Sequence, residues 1–359
     1  VSHPGGVVTE PSFQHVIRLS DDVGIFEHAE GSVPRRHLGY CLDDVARALV
    51  VTLRQADPSS EVRSLAGRYL AFVGRAQAPD GRFHNRLRPD RTWADDPGVA
   101  DWWGRALWAL GTAAARGLTA ESCREATRRF ELSAHLRSPH SRSMAFAALG
   151  AAEILAFDPG HRSARQLLTD AVTLIGRPGS VSEVGRPGSV SEVGRPGRAE
   201  TWRWPEPRLR YANAALAEVV IAGGEHLGDR DMLADGLDML GWLLDTESLA
   251  GHLSITPVGG WSLGETRPGF DQQPIEVAAL ADACLRAWRV TGDARWATAV
   301  TMAVDWFLGD NDAGCALYEP NTGGGYDGLE PRGCNSNQGA ESTLAMVATF
   351  QAGHLLAGR

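Results

Sequence analysis

The connections between helices constrain this chain more than the helices themselves, because they alternate in length. Apolar residues recur at three-to-four spacing over residues 42–53, 62–73, 99–114, 122–136, 143–155, 164–175, 209–221, 232–244, 275–288, 296–307 and 340–356. That period predicts eleven helices and leaves no persuasive pair of strands. One set of links is short and made of bend residues: QADPSS, RGLTAE, FDPGHR, GGEHLGDR and TGDAR. The other set is mostly long and aromatic, over residues 78–98, 176–208, 245–271 and 309–336; only the link near Ser138 and Ser141 departs from the rule. Helical hairpins joined this way suit an all-α (α/α)6 toroid, in which inner helices run parallel, an outer helix returns after each, and the long loops gather at one end. The segments opening YCLDD, VADWWGR, SRSMAF, LRYANA, QQPIEV and NQGAES are then inner helices whose N-termini surround one pocket. Five returning helices are legible, and the sixth is absent or replaced by the N-terminal lead-in.

At 359 residues the chain is one large domain or two ordinary ones. The pattern favours a lead-in over residues 1–30 and a single toroid domain over residues 31–359. Residues 176–197 hold GRPGSVSEV twice, then GRPG. So much Gly, Pro and Ser cannot offset its ordering entropy, and a flexible loop is expected there. A formal charge of −9 without a basic stripe argues against nucleic acid as a partner, and no apolar run nears the roughly 20 residues that span a bilayer. The first residues lack the basic start and apolar core of a signal peptide, so a cytoplasmic location is expected. Five cysteines, Cys41, Cys123, Cys284, Cys315 and Cys334, lie scattered without a CxxC pair. Buried thiols are expected, with neither a disulfide framework nor a metal, and no cofactor motif is present.

The candidate site residues cluster on the long-loop side. Asp43 and Asp44 open the first inner helix, followed by Arg47 at i,i+4 from Asp43. His84, Trp93, Asp95 and Asp96 precede the helix that begins with Asp101 and Arg105, and Trp204 lies in ETWRWPEPRLRYAN. FDQQPIE places Asp271 as a plausible N-cap and leaves the amides of Gln272 and Gln273 free for hydroxyl groups. GGGYDGLEPRGCNSNQGAESTL combines a glycine hinge with Tyr326, Asp327, Asn337, Gln338 and Glu341. Each acid also has an ordinary reading, since carboxylates favour the first turn of any helix. Their concentration with amides and indoles at one end is what points to a saccharide pocket.

HLGYCLDDVARAL, GRALWALG, FDQQPIEVAALADAC and YDGLEPRGCNSNQGAESTLA resemble a bacterial family of α/α-toroid domains found alone or joined to glycosyltransferases, often described only as glycosyltransferase-like. The resemblance runs from about Phe13 to the C-terminus and implies an (α/α)6 fold, glycan metabolism and a glycosyltransferase as a possible partner. Relatives tend to carry an acidic, His-containing run near SEDxHGR. This chain has VADWWGR, which keeps Asp101, Gly104 and Arg105 and lacks the preceding acid and the His.

The resulting expectation is a glycoside hydrolase that uses two of Asp44, Asp101 and Glu341, with Asp271 in reserve, as the paired carboxylates such cleavage requires. Inversion is favoured by class analogy. His37, Tyr40, Asp43, His84, Arg105, Trp204, Gln272, Gln273, Tyr326, Asp327, Asn337 and Gln338 would bind the sugar. The alternatives are a non-catalytic glycan-binding module and a sugar epimerase, the latter using His37 and His84 as bases. A nucleotide-sugar transferase acting alone is disfavoured, because no Gly-rich strand-helix turn is present to hold a diphosphate.

Overall fold

A computed structural model describes residues 10–176 and 202–358 of the chain. Apart from Gly176, the tandem repeat lies outside the described residues. The described helices are α1 (Gln14–Arg18), α2 (Leu42–Arg54), α3 (Ser60–Ala76), α4 (Asp101–Arg116), α5 (Ala120–Ser133), α6 (Ser141–Phe157), α7 (Arg162–Ile175), α8 (Asn213–Leu227), α9 (Arg230–Thr246), α10 (Pro274–Thr291), α11 (Ala294–Leu308) and α12 (Ala340–Ala357). All the helices expected from periodicity are present. The addition is α1, whose five residues are too few to show a period.

Helices α2, α4, α6, α8, α10 and α12 each pack on the next, and α12 packs back on α2 to close an inner ring. Helices α3, α5, α7, α9 and α11 pack outside it. Helix α1 packs on α12 and α3 and so stands in the sixth outer position. This is an (α/α)6 toroid. The ring is joined across its ends where Gln351 Nε2 donates to the Val51 carbonyl (2.8 Å), and the lead-in is held by His15 Nε2 on the Gln338 carbonyl (2.9 Å).

Burial explains which helices go inside. Outer helix α3 buries Val62, Leu65, Ala66, Tyr69, Phe72 and Val73, one stripe spaced by threes and fours. Inner helix α12 is buried on every side from Ser342 to Ala352. Between α4 and α6 the backbones nearly touch: a Cβ added to Gly111 would lie 2.1 Å from the Gly150 carbonyl oxygen.

The two helix sets also begin differently. Ser59, Thr119, His161, Asp229 and Asp293 each cap an outer helix by accepting from a first-turn N–H. In none of the six inner helices does the N-cap residue cap with its own side chain. Their N-termini, with the positive end of the macrodipole, face the long-loop end, where other segments supply acceptors such as the Asn85 carbonyl for Leu42 and the Glu27 carbonyl for Ala340.

Those loops contain antiparallel ladders of two residues a side, such as Tyr40–Cys41 with Arg86–Leu87 and Arg208–Leu209 with Trp261–Ser262. Two residues are too short for an alternating pattern, which is why none was legible. The cysteine expectation also needs correcting: Cys315 and Cys334 are disulfide-bonded across the last long loop. Cys41 and Cys284 are buried thiols, and Cys123 is half-buried. No described helix is long and apolar enough to cross a membrane.

Candidate active site

At the long-loop end a cavity of 440 Å³ opens over the starts of α2, α4, α10 and α12. Asp43, Asp44, Asp101, Gln273, Asp327 and Glu341 line it, together with Glu27, His28, Asn85, Arg86 and Trp102.

One guanidinium organises the floor. Arg47 Nη2 reaches Asp43 Oδ2 (2.7 Å) and Glu341 Oε2 (2.7 Å), while its Nη1 donates to Asp44 Oδ1 (2.6 Å). Arg105 Nε lies 2.8 Å from Asp43 Oδ1, and the Arg105 guanidinium stacks 3.9 Å over the Phe146 ring. Asp101 Oδ1 accepts from the Ser143 hydroxyl (2.7 Å). Three carboxyl groups, Asp43, Asp44 and Glu341, thus share two buried arginines, and Asp101 stands beside them on a hydroxyl. Burial pushes Asp44 up to about 8 against the pull of Arg47, with Glu341 and Asp43 adding to the rise. Burial opposes the charge on Arg47, but Asp43, Glu341 and Asp44 together outweigh it and raise its pKa. Burial, with Arg47 alongside, lowers Arg105. The cavity therefore holds one carboxyl group whose burial favours the protonated form, beside other carboxyl groups.

Most of the remaining sequence candidates are placed elsewhere. Tyr40 is buried against Phe26 and donates its hydroxyl to Asp21 (2.6 Å). Exposed His37 does not line the cavity, and His84 stacks on Trp93 with Nδ1 on the Asp95 carbonyl (2.7 Å). Trp204 is fully buried and stacked on Trp242. Gln272 is buried, bonded to the Gly269 carbonyl and to Trp306 Nε1, whereas Gln273 lines the cavity and is the N-cap residue of α10. Asp271 is exposed outside the lining. Tyr326 donates to Glu319, Asn337 accepts from the Gly31 N–H, and Gln338 accepts from the Thr322 hydroxyl, so these three hold the last loop. Asp327 does likewise through the Gly339 N–H (2.7 Å) while lining the cavity.

Sequence reasoning did not single out Glu27, His28, Arg86, Trp102 or Glu276. Trp102 is the cavity's indole, fixed by its Nε1 on the Phe83 carbonyl (2.8 Å); it was visible only as a neighbour of Asp101. Glu276 sits in the first turn of α10 as Asp44 does in α2. Burial pushes it up to about 8, Glu247 adding, against the N–H groups of Ala212 and Asn213. Glu27, Cys41 and Asp44 each offer one atom, all within 4.8 Å of one another, as a cation would need. Arg86 already holds Glu27, Arg47 donates to Asp44, and burial keeps the Cys41 thiol well up, so the three atoms are already engaged or protonated. A further cavity of 230 Å³ at the short-turn end is lined by pairs such as Arg54 with Asp282 (2.7 Å) and Arg286 with Glu218 (3.1 Å).

Fold and cavity together place the chain among the (α/α)6 toroids with a carboxylate-lined mouth. No family model matches the sequence. No curated protein matches it either. Solved structures do match in fold. A D-mannose isomerase aligns with TM-score 0.70 and 12% identity over 98% of this chain and 99% of its own. A sugar epimerase from a ruminal bacterium aligns with TM-score 0.68 and 11% identity over 95% of each chain. A family 9 glycoside hydrolase, endoglucanase J30, aligns with TM-score 0.58 and 13% identity over 91% of this chain and 73% of its own. At these identities the likeness is one of fold.

Proposed function

We propose that the protein is a glycoside hydrolase acting on an oligosaccharide or polysaccharide, with Asp44 as general acid and Asp101 as general base or nucleophile. The observation that carries this reading is the buried Asp44 carboxyl, pushed up to about 8 and lining the same cavity as Asp101. A leaving-group oxygen needs a proton at neutral pH, and the opposite face of the sugar needs a carboxylate. Asp101 is held by a hydroxyl and not by a guanidinium contact, which leaves its lone pairs available. Glu341 shares Arg47 with Asp43 and Asp44 and acts by positioning that guanidinium. Trp102 and Gln273 offer a ring face and an amide to the sugar.

A second reading, sugar epimerase, is favoured by one residue. His28 lines the cavity with its Nε2 3.6 Å from Glu27, and His28 is the one lining histidine among the described residues. Epimerisation would exchange a carbon-bound hydrogen with solvent and create no new reducing end. Incubation of a bacterial glycan panel in D₂O separates the two. New reducing ends without carbon deuteration support the hydrolase, and deuterated product at constant chain length overturns it in favour of the epimerase. Binding without either change returns the protein to an accessory module serving a glycosyltransferase, the partner its sequence resemblance implies.

A further inference from the structure

The cavity holding Asp44 and Asp101 has a neighbour. Arg210, Tyr211, Thr256 and Glu276 help to line a second cavity of 490 Å³, and Gln273 lines both. The two open on either side of one amide at the start of α10.

The segment carrying Arg210 and Tyr211 is clamped from within. Arg142 Nε donates to the Tyr211 carbonyl (3.0 Å), and Arg142 Nη2 donates to Asn213 Oδ1 (3.0 Å). Asn213 Oδ1 also accepts the Arg210 N–H (2.9 Å), and Asn213 Nδ2 donates to the Arg210 carbonyl (2.8 Å). Glu276 accepts the N–H groups of Ala212 and Asn213. These bonds hold Ala212 at φ 47°, an uncommon conformation for a residue with a Cβ.

The clamp presents two groups outward. Tyr211 is 37% exposed, with the Arg142 guanidinium 5.9 Å from its ring centroid. Arg210 is exposed, and its guanidinium has no ion pair or hydrogen bond among the described residues. Nearby Arg208 is spent, with Nε and Nη2 on the Gly259 carbonyl and Nη1 on Glu265. A rigid aromatic plane suits the C–H face of a pyranose, and a free guanidinium suits a planar or tetrahedral oxyanion. With a net charge of −9 the protein has no general attraction for anions, so any such preference must be local.

We propose that this second cavity is a subsite for an acidic sugar unit, its ring laid on Tyr211 and its anionic group met by Arg210, with the chain passing Gln273 into the cavity of Asp44 and Asp101. This rests on the glycan reading above and narrows it: the substrate carries a carboxylate, sulfate or phosphate on the unit next to the one acted upon. Binding is read on a glycan array whose arms are matched neutral, uronate-bearing, sulfated and phosphorylated oligosaccharides. The proteins compared are wild type, Arg210→Gln, Arg210→Lys, Tyr211→Ala and Asp44→Asn, each shown to be folded by circular dichroism. Wild type is expected to favour one acidic arm by about tenfold or more, the increment of one good charge-assisted contact. Arg210→Gln removes that preference, Arg210→Lys keeps part of it, and Tyr211→Ala weakens acidic and neutral binding alike. Equal binding of acidic and neutral arms by wild type overturns the subsite, as does a preference that survives Arg210→Gln or no acidic binding at all. Asp44→Asn keeps the preference if the subsite is real, so turnover lost with binding kept tests catalysis alone. Hydrolysis without acidic preference keeps the catalytic reading and sinks this one.

Discussion

At the scale of single residues, the site turns on how one guanidinium is shared. Arg47 touches Asp43, Asp44 and Glu341, and Asp44, the most deeply buried of the three, keeps its proton. In an acid–base mechanism, Asp44→Asn and Asp101→Asn each lower kcat by about 10²- to 10⁴-fold, whereas Glu341→Gln acts less severely through Arg47. Activity of the wild type falls as pH rises through about 8, where the Asp44 proton is lost. A kcat profile flat from pH 7 to 9.5 would exclude Asp44 as the acid. The same burial affects stability. Asp44 ionises readily when unfolded and reluctantly when folded, so it contributes no penalty below its unfolded pKa, near the model-peptide value of about 3.9. The penalty then grows by up to about 1.4 kcal/mol per pH unit until the folded pKa near 8. Asp44→Asn is therefore expected to raise Tm relative to wild type more at pH 8 than at pH 5 in scanning calorimetry.

At the scale of elements, the two helix sets do different work. The outer helices are closed at their starts by their own N-cap side chains, while the inner ones rely on acceptors from other segments, and four of them, α2, α4, α10 and α12, point the positive ends of their macrodipoles at the cavity. Tight inner packing sets how far apart those ends stand. Because a Cβ on Gly111 would meet the Gly150 carbonyl at 2.1 Å, Gly111→Ala forces α4 and α6 apart. Overpacking of this kind costs about 1–3 kcal/mol, and a lowered urea midpoint with unchanged m-value would report it. Separation of α4 from its neighbours also moves Asp101 relative to Ser143, so activity falls beyond what stability explains. Periodicity exposed all the longer helices, since a 3.6-residue repeat over three or more turns is a strong local signal. It could not show α1 or the two-residue ladders, which are set by their partners.

At the scale of the whole molecule, ring closure depends on residues far apart in sequence. The lead-in occupies the sixth outer position, with Val16, Leu19 and Ile25 fully buried. Leu19→Ala is expected to cost about 2–5 kcal/mol, as in an ordinary core, and to lower Tm in one cooperative transition. An unchanged Tm would mean that the lead-in is an independent arm.

The sequence alone determined the helices, their order and the end at which the long loops gather, because periodicity and turn chemistry act between near neighbours. It also brought Asp43, Asp44, Asp101, Gln273, Asp327 and Glu341 to notice through their places at helix starts and in long loops. Only the tertiary structure decided which of those side chains turn inward. Gln272 and Gln273 are adjacent, yet one is buried under Trp306 and the other faces the cavity. His28 and Trp102 entered the cavity through contacts between segments, and His37 stayed outside it. Asp44 likewise owes its proton to burial and to Glu341, 297 residues away in the chain (341 − 44). Side-chain direction and desolvation are properties of the closed ring, and no local pattern encodes them.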